Sequence, residues 1–479
     1  MMKILNTMSG QKEEFTHGEE GEVKMFVCGP TVYDYMHIGN ARTFVFFDVV
    51  AKYLRYRGYD VDYIQNITDI DDKIINRAKQ ENKTWKEAAD FYFEKFKEDA
   101  EALGITGPRY AKATDYIEEV KKQVKTLVSK GNVYLINGDG WYFDLKTFSE
   151  YGKLSGRTSE MADDAVSRID ESESKSKRNK GDFVVWKLVE KSEAGYWDDN
   201  ELGYGRPGWH IEDTAITERE FGPRYDIHGG GQDLIFPHHE AEISQQCSAA
   251  NIKPKDFVRY WMHVGFVMNP APSKDGGADK ERKMSKSLGN FITARELLRK
   301  YSEEVLRFYL LSGHYRSPLD YSDKILKQSA AAIQRISEFK RALEKTDDKV
   351  KNIIENIDIN ESERKFFSAL DEDFNIPEAL GYLFSLIRTL NPLLRMGAVS
   401  QEYAQPILEF LNKIDTILGI IPIEYESAPS NVIELVAKRE KLREENNYEE
   451  ADKIRAQIEY LGYKIEDTAY GPLVVSRPS

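Results

Sequence analysis

Between residues 23 and 67 the chain reads as strand, helix, strand, and that alternation constrains its fold more than any other feature. The apolar run 23–27 ends at Cys28-Gly29-Pro30. Helical spacing follows over 41–57, with Phe47, Val50, Ala51 and Leu54 at i, i+3, i+4 and i+7, and Gly58 stops it. A second apolar run, 61–67, leads into Thr68-Asp69 and another helix from about Asp71. Strands joined by a crossover helix pair in parallel, and ligands of such sheets sit beyond the carboxyl ends of the strands. Cys28-Gly29-Pro30 and Thr68-Asp69 are two such ends.

Size and composition set wider bounds. At 479 residues the chain exceeds what one core supports, so two to four domains are expected. Apolar content of 41% and charged content of 31% are ordinary for a soluble protein. No run of about 18 apolar residues is present, which argues against a membrane span, and residues 1–10 do not read as a signal peptide. Two cysteines, Cys28 and Cys247, are too few for a disulfide framework. These observations point to a cytoplasmic protein. A net charge of −14 argues against nonspecific coating of nucleic acid, yet leaves room for a local basic surface.

Further along, the pattern loosens from 114 to 205, with a hairpin over 133–143 turning at Asn137-Gly138 and a charged, serine-rich run 171–180 that reads as a mobile loop. This stretch is read as an insertion. The sheet then resumes at 225–228, followed by Gly229-Gly230-Gly231 and a helix opening at Pro237. From 294 onward helical periodicity dominates. Residues 422–430 read as a linker to one last charged helix over 433–461 and a short tail.

Two short strings carry the chemistry. His37-Ile38-Gly39-Asn40 lies where a strand passes into a helix, a place where backbone N–H groups and the helix dipole favour phosphate. Lys283-Met284-Ser285-Lys286-Ser287 lies in a polar loop, from which Lys286 can close over the same phosphates. Alone, a histidine beside a turn glycine is usually structural, and a Lys/Ser loop is usually only solvated. In this order the pair resembles the catalytic signature of class I aminoacyl-tRNA synthetases. Six of the eight histidines, His37, His210, His228, His238, His239 and His263, fall in the two halves of the sheet. His238 and Glu242 stand one helical turn apart on one face, a spacing found more often in surface hydrogen bonds than in metal sites.

The material between the strings narrows the resemblance. Cys28-Gly29-Pro30-Thr31-Val32-Tyr33, Asn66-Ile67-Thr68-Asp69-Ile70-Asp71-Asp72-Lys73, Gly208-Trp209-His210-Ile211-Glu212, Asp226-Ile227-His228-Gly229-Gly230-Gly231 and Phe236-Pro237-His238-His239-Glu240 resemble the cysteinyl-tRNA synthetase family over nearly the whole chain. The resemblance implies an α/β fold: a Rossmann-type parallel-sheet catalytic domain, split by an insertion and followed by an all-α C-terminal region. The divisions are 1–113 and 206–268 for the catalytic halves, 114–205 for the insertion, 269–325 for the lysine loop and linking segment, 326–428 for a helical bundle that binds tRNA, and 429–479 for the last helix and tail. It implies ATP-dependent activation of L-cysteine and transfer to the terminal ribose of tRNA-Cys by a monomer. Catalysis would rest on His37, Asn40, Lys283 and Lys286, with Mg²⁺ on the phosphates. Gly229, Gly230 and Gly231 would join His37, Asn40 and Lys286 around ATP, and Cys28, Gly29, Thr68, Trp209, His228 and Asp233 would surround the amino acid.

The family's zinc ligands map onto Cys28, His238 and Glu242, but the position of its second cysteine is Asp213. Aspartate keeps the charge and exchanges a soft sulfur for a hard oxygen, which leaves two outcomes open: a zinc site, weaker than usual, or none. Two other functions fit the same strings, a ligase joining cysteine to a small amine and a noncatalytic tRNA-binding paralogue. The long helical half counts against the first, and the intact His37 and Lys286 against the second.

Overall fold

Five parallel strands form the sheet that organises the first half of the chain: β1 (Glu22–Val27), β2 (Asp60–Ile67), β3 (Arg109–Lys112), β4 (Tyr225–Gly231) and β5 (Val258–Val264), in the order β5-β4-β1-β2-β3. The order reverses between β1 and β4, so a crevice opens at their carboxyl ends. In this computed structural model the described residues are 1–18, 21–157, 176–191, 195–268, 291–347, 358–422, 429–468 and 471–476.

The crossover from β1 to β2 is α1 (Ile38–Tyr56), longer at its start than the periodicity implies. It is buried nearly all round, not on one face: Val45, Val49 and Phe44 are covered as fully as Phe47 and Val50. Such a helix must satisfy the polar groups it carries inward. Arg42 Nη1 donates to the carbonyls of Gly265 and Phe266 at 2.8 and 3.0 Å, and Asp48 Oδ1 accepts the N–H groups of Thr106 and Gly107 at 3.1 and 3.3 Å. After β2 come α2 (Asp72–Gln80), capped by Asp71, and α3 (Trp85–Glu101), which opens with a capping box of Thr84 and Glu87.

The insertion begins with α4 (Ile117–Ser129) and builds an antiparallel sheet from Val133–Ile136, Gly140–Phe143, Phe183–Leu188 and Gly205–Pro207. Gly138, at φ +76°, makes its first turn. The first half of the expected loop at 171–180 lies outside the described residues. Two helices return the chain to the main sheet, α5 (Ile211–Phe221) before β4 and α6 (Glu240–Ala250) after it. The expectation of a helix opening at Pro237 needs correction. A single wide turn spans Ile235–His239, Phe236 is extended at φ −142° and ψ 129°, and regular helix begins only at Glu240.

Contacts divide the chain into two units, Met1–Leu297 with Tyr315–Asp320, and Leu298–His314 with Tyr321–Ser479. The expected linking segment 269–325 is therefore shared between them. In the second unit Glu303–Leu311 and Asp323–Glu344 are followed by Ile359–Asp371, Ile376–Arg395 and Gln401–Leu418, with Arg307 Nε buried against the Leu418 carbonyl at 2.7 Å. The single charged helix expected over 433–461 is two helices, Ser430–Glu444 and Tyr448–Tyr460, followed by a hairpin of Tyr463–Thr468 and Gly471–Ser476. Asn446 adopts φ +59° and Asn447 caps the next helix, two habits of asparagine that outweigh the periodicity. The linker at 422–430 lies mostly outside the described residues.

Where β1 leaves the sheet, its backbone almost touches that of β2. A Cβ on Gly29 would meet the Asn66 carbonyl oxygen at 1.7 Å, and backbone cannot yield as a flexible side chain can. Gly29→Ala is therefore expected to destabilise the first unit by about 1–3 kcal/mol or more, read as a lower urea midpoint. Gly381→Ala, on an open helix surface with nothing within 4 Å, should instead stabilise the second unit by roughly 0.5–1 kcal/mol.

Candidate active site and metal centre

A cleft of about 590 Å³ occupies the crevice between β1 and β4, with Cys28, Tyr33, His37, Lys73, Trp209 and Asp233 among its walls. His37 is the residue before α1, in extended conformation, and its Nδ1 accepts the N–H of Asn40 at 3.2 Å. The imidazole folds back over the first turn because Gly39 leaves room: a Cβ there would stand 3.0 Å from the ring. The turn thus presents a histidine, Asn40 and the open end of a long buried helix to the cleft, a combination suited to phosphate. Lys283 and Lys286 lie outside the described residues. The described chain resumes at Phe291 and is fastened to this turn: Ile38 N–H donates to the Ile292 carbonyl and Ala294 N–H to the Met36 carbonyl, both at 2.9 Å.

At the inner end of the cleft the sheet and two helices bring four potential metal ligands together. Cys28 comes from the end of β1, Asp213 from the first turn of α5, His238 from the bend after β4, and Glu242 from the first turn of α6. Cys28 Sγ lies 3.4 Å from Asp213 Oδ2 and 3.8 Å from Glu242 Oε1, while His238 Nε2 lies 3.0 Å from Asp213 Oδ2 and 3.1 Å from Glu242 Oε1. A second quartet shares two of these groups, since His239 Nε2 and His228 Nε2 stand 3.2 and 3.4 Å from Cys28 Sγ and also face Glu242. None of the first four residues is more than 5% exposed.

Each histidine is held from behind. His238 Nδ1 meets His210 Nδ1 at 2.7 Å, His239 Nδ1 meets His263 Nε2 at 2.8 Å, and His263 Nδ1 reaches Thr7 Oγ1 at 2.8 Å. His228 Nδ1 lies 2.6 Å from the Tyr225 hydroxyl. Partners of this kind fix ring orientation and leave one nitrogen aimed at the centre.

Burial pushes the Cys28 thiol well above its ordinary range, and Glu242 and Asp213 push it further. Burial also raises Glu242, against the opposing pull of His238. His238 is lowered by burial but lifted more strongly by Asp213 and Glu242, to about 9. His228 and His239 are held far below their usual range, first by burial and then by neighbouring histidines. Left to themselves, Cys28 and Glu242 resist ionising while His238 holds a proton. A divalent cation reverses that, because it deprotonates a thiol and favours carboxylates and neutral imidazoles. Glu242 Oε2, buried and without a hydrogen-bond partner, fits the same conclusion. One thiolate, one imidazole and two carboxylates form a donor set that Zn²⁺ accepts.

The structure sorts the expected pocket residues by position. Trp209 is exposed over the centre, its ring 4.3 Å from that of His238. Asp233 and Gly29 line the cleft. Thr68 is buried behind it, its hydroxyl donating to Glu212 Oε2 at 2.8 Å, and His228 is fully buried against Cys28. The glycine run does not face the cleft as a unit. Gly231 lines it, but Gly229 makes room for the Phe47 ring and Gly230 for His239 and Leu234. Residues without an assigned role in the sequence reading also enter the site. Lys73 and Tyr33 form a cation-bearing wall, with Lys73 Nζ 5.8 Å from the Tyr33 ring centroid, and Asn66 donates to Asp213 Oδ1 at 2.6 Å. Position in the string around Asn66 was the only signal for the last of these.

Comparison with known proteins places the chain in a family. Residues 14–331 match the model of the class I (C) tRNA synthetase catalytic domain, and residues 365–422 match the DALR domain. The chain is 41% identical to the cysteine–tRNA ligase of Caldicellulosiruptor saccharolyticus, over 99% of both chains, and 40% identical to that of Clostridioides difficile, over 98% of this chain and 99% of the relative. Among solved structures, Mycobacterium tuberculosis methionyl-tRNA synthetase bound by methionyl-adenylate superposes with a TM-score of 0.59 at 17% identity, covering 83% of this chain and 89% of that one, which bears on the fold alone. With a catalytic-domain match over most of its length and relatives this similar from end to end, the chain belongs to the cysteine–tRNA ligase family of class I tRNA synthetases.

Proposed function

We propose that this chain activates L-cysteine with ATP to cysteinyl-adenylate and transfers the cysteinyl group to the terminal ribose of tRNA-Cys. The observation that carries the reading is that one cleft has a cluster of buried potential metal ligands, Cys28 among them, at its inner end and His37 with the start of α1 on its wall. The amino acid's carboxylate would attack the α-phosphorus of ATP, which arrives as its Mg²⁺ complex, and the bond to pyrophosphate would break. His37, Asn40 and the α1 terminus, with Lys283 and Lys286, would stabilise charge on the phosphates, so that catalysis is a matter of placement and preorganised donors. A ribose hydroxyl of the tRNA would then attack the carbonyl and release AMP.

Cys28, Asp213, His238 and Glu242 would hold zinc in the centre. When bound, zinc supplies a ligand position that takes the substrate sulfur as thiolate, which serine's hydroxyl cannot match. Trp209 would cover the side chain, and Asp233, on the same cleft wall, would meet the α-amino group. The helical unit with its DALR-type segment would carry the tRNA, which a small-amine ligase would not need. The reading also takes the chain as a cytoplasmic monomer; among the described residues no helix is long and apolar enough to cross a membrane.

Cysteine-dependent exchange of labelled pyrophosphate into ATP tests the proposal. Cysteine should be preferred over serine by well over the ~100-fold that shape alone gives between near-isosteres. Stripping metal with a chelator should reduce that ratio, and equal exchange with both amino acids in the metal-loaded protein would refute the reading. His37→Asn keeps a capping acceptor for the Asn40 N–H while removing the imidazole. It should slow adenylate formation about 100-fold or more in single turnovers with little change in cysteine affinity. The opposite pattern would remove His37 from the phosphate role.

A further inference from the structure

Asp213 poses a problem of valence, because a carboxylate has two donor atoms where a thiolate has one. Zn²⁺ expands from four donors to five. If both oxygens of Asp213 bound, the fifth position would be filled by the protein and the substrate sulfur would have none.

The two oxygens of Asp213 have different partners. Asn66, near the end of β2, donates from Nδ2 to Asp213 Oδ1 at 2.6 Å. The other oxygen, Oδ2, is the one that faces Cys28 Sγ at 3.4 Å and His238 Nε2 at 3.0 Å. The amide cannot turn round, since Asn66 Oδ1 accepts the Gly29 N–H at 2.6 Å, and a flipped amide would set its own N–H groups against that donor and its oxygen against the carboxylate. Asn66 and Asp213 are 3% and 1% exposed, so water does not compete for either bond. Gly29 directly follows Cys28, so one side chain ties the sulfur ligand's strand to the oxygen ligand's helix.

We propose that Asn66 is a positioning residue that restricts Asp213 to single-oxygen ligation, and so lets a carboxylate stand in a thiolate's place while keeping a position open for the substrate sulfur. The proposal rests on the reading of the centre as a metal site. It is specific to the aspartate: a sulfur at position 213 has no second donor atom to restrain.

That difference supplies the test, made on the full-length chain loaded with zinc or with cobalt. Zinc affinity is read by competition with a chromophoric chelator, and ligation by the visible absorption of bound Co²⁺. Asn66→Ala and Asn66→Asp should each weaken zinc about 10–100-fold and alter the cobalt ligand-field bands. Asn66→Asp keeps the shape and the acceptor for Gly29 N–H, and serves if Asn66→Ala does not fold by circular dichroism. In an Asp213→Cys background, whose cobalt form should gain sulfur-to-metal charge-transfer intensity, the same Asn66 changes should cost less than about threefold. Equal losses in both backgrounds would make Asn66 a packing residue and overturn the inference while leaving the metal reading intact. Failure of the unaltered chain to take up one equivalent of zinc or cobalt would overturn both.

Discussion

Two carboxylates and a thiol enclosed where water does not reach are the condition to which the rest of the catalytic sheet answers. Removing such groups from solvent costs several kcal/mol for each charge unless a counter-charge and directed hydrogen bonds accompany them. The supports are distributed accordingly. Each imidazole facing the sulfur has a second partner behind it, and the chain of contacts through His239 and His263 extends to Thr7, just after the first strand of an amino-terminal hairpin formed by Lys3–Asn6 and Gln11–Glu14. Even β4 is shaped by this demand, for Gly230 is small where the His239 ring must pass. The histidines are a scaffold for charge, and the sheet is a scaffold for the histidines.

The same economy joins the insertion to the centre. Glu240 is buried at the start of α6, two residues before Glu242, and accepts the backbone N–H groups of Gly152, Leu154 and Ser155 at 3.0, 2.9 and 2.6 Å. Arg157 adds a cation–π contact, 4.8 Å above the Phe236 ring at the bend that aims His238. The insertion is thereby anchored on the segment that supplies two of the four potential metal ligands. The proposed phosphate site draws on a different element, the start of α1, so the two ends of the cleft are supported independently.

Much of this was legible in the amino-acid order, and the parts that were not share a physical reason. Strand and helix alternation located β1, α1 and β2 because local periodicity reports burial directly. His238 and Glu242 could be paired from their spacing, since one helical turn separates them even though the helix itself begins later than expected. Asp213 could be reached only through resemblance, as nothing local distinguishes it from any acidic residue in a first helical turn. His239 and Asn66 were beyond local reading: their partners are set by the bend at Phe236 and by the pairing of β1 with β2, both tertiary facts. The last helix was misread because periodicity continued across Asn446-Asn447 while the backbone turned there.

The strand order of the main sheet bears on how the protein is made. β1 lies between β2 and β4, and Cys28 is 214 residues from Glu242. At a synthesis rate of about 5–20 residues per second, roughly 10–40 s separate the emergence of the sulfur from that of its last carboxylate partner. Through that interval the nascent chain carries β1 with one edge unpaired and a cysteine still open to solvent and oxidants. The insertion, whose own antiparallel sheet is complete once Gly205–Pro207 has emerged, is translated inside the gap. Its early closure would shorten the loop that must be ordered before β4 can find β1, making the ribosome's pace part of how this centre is assembled.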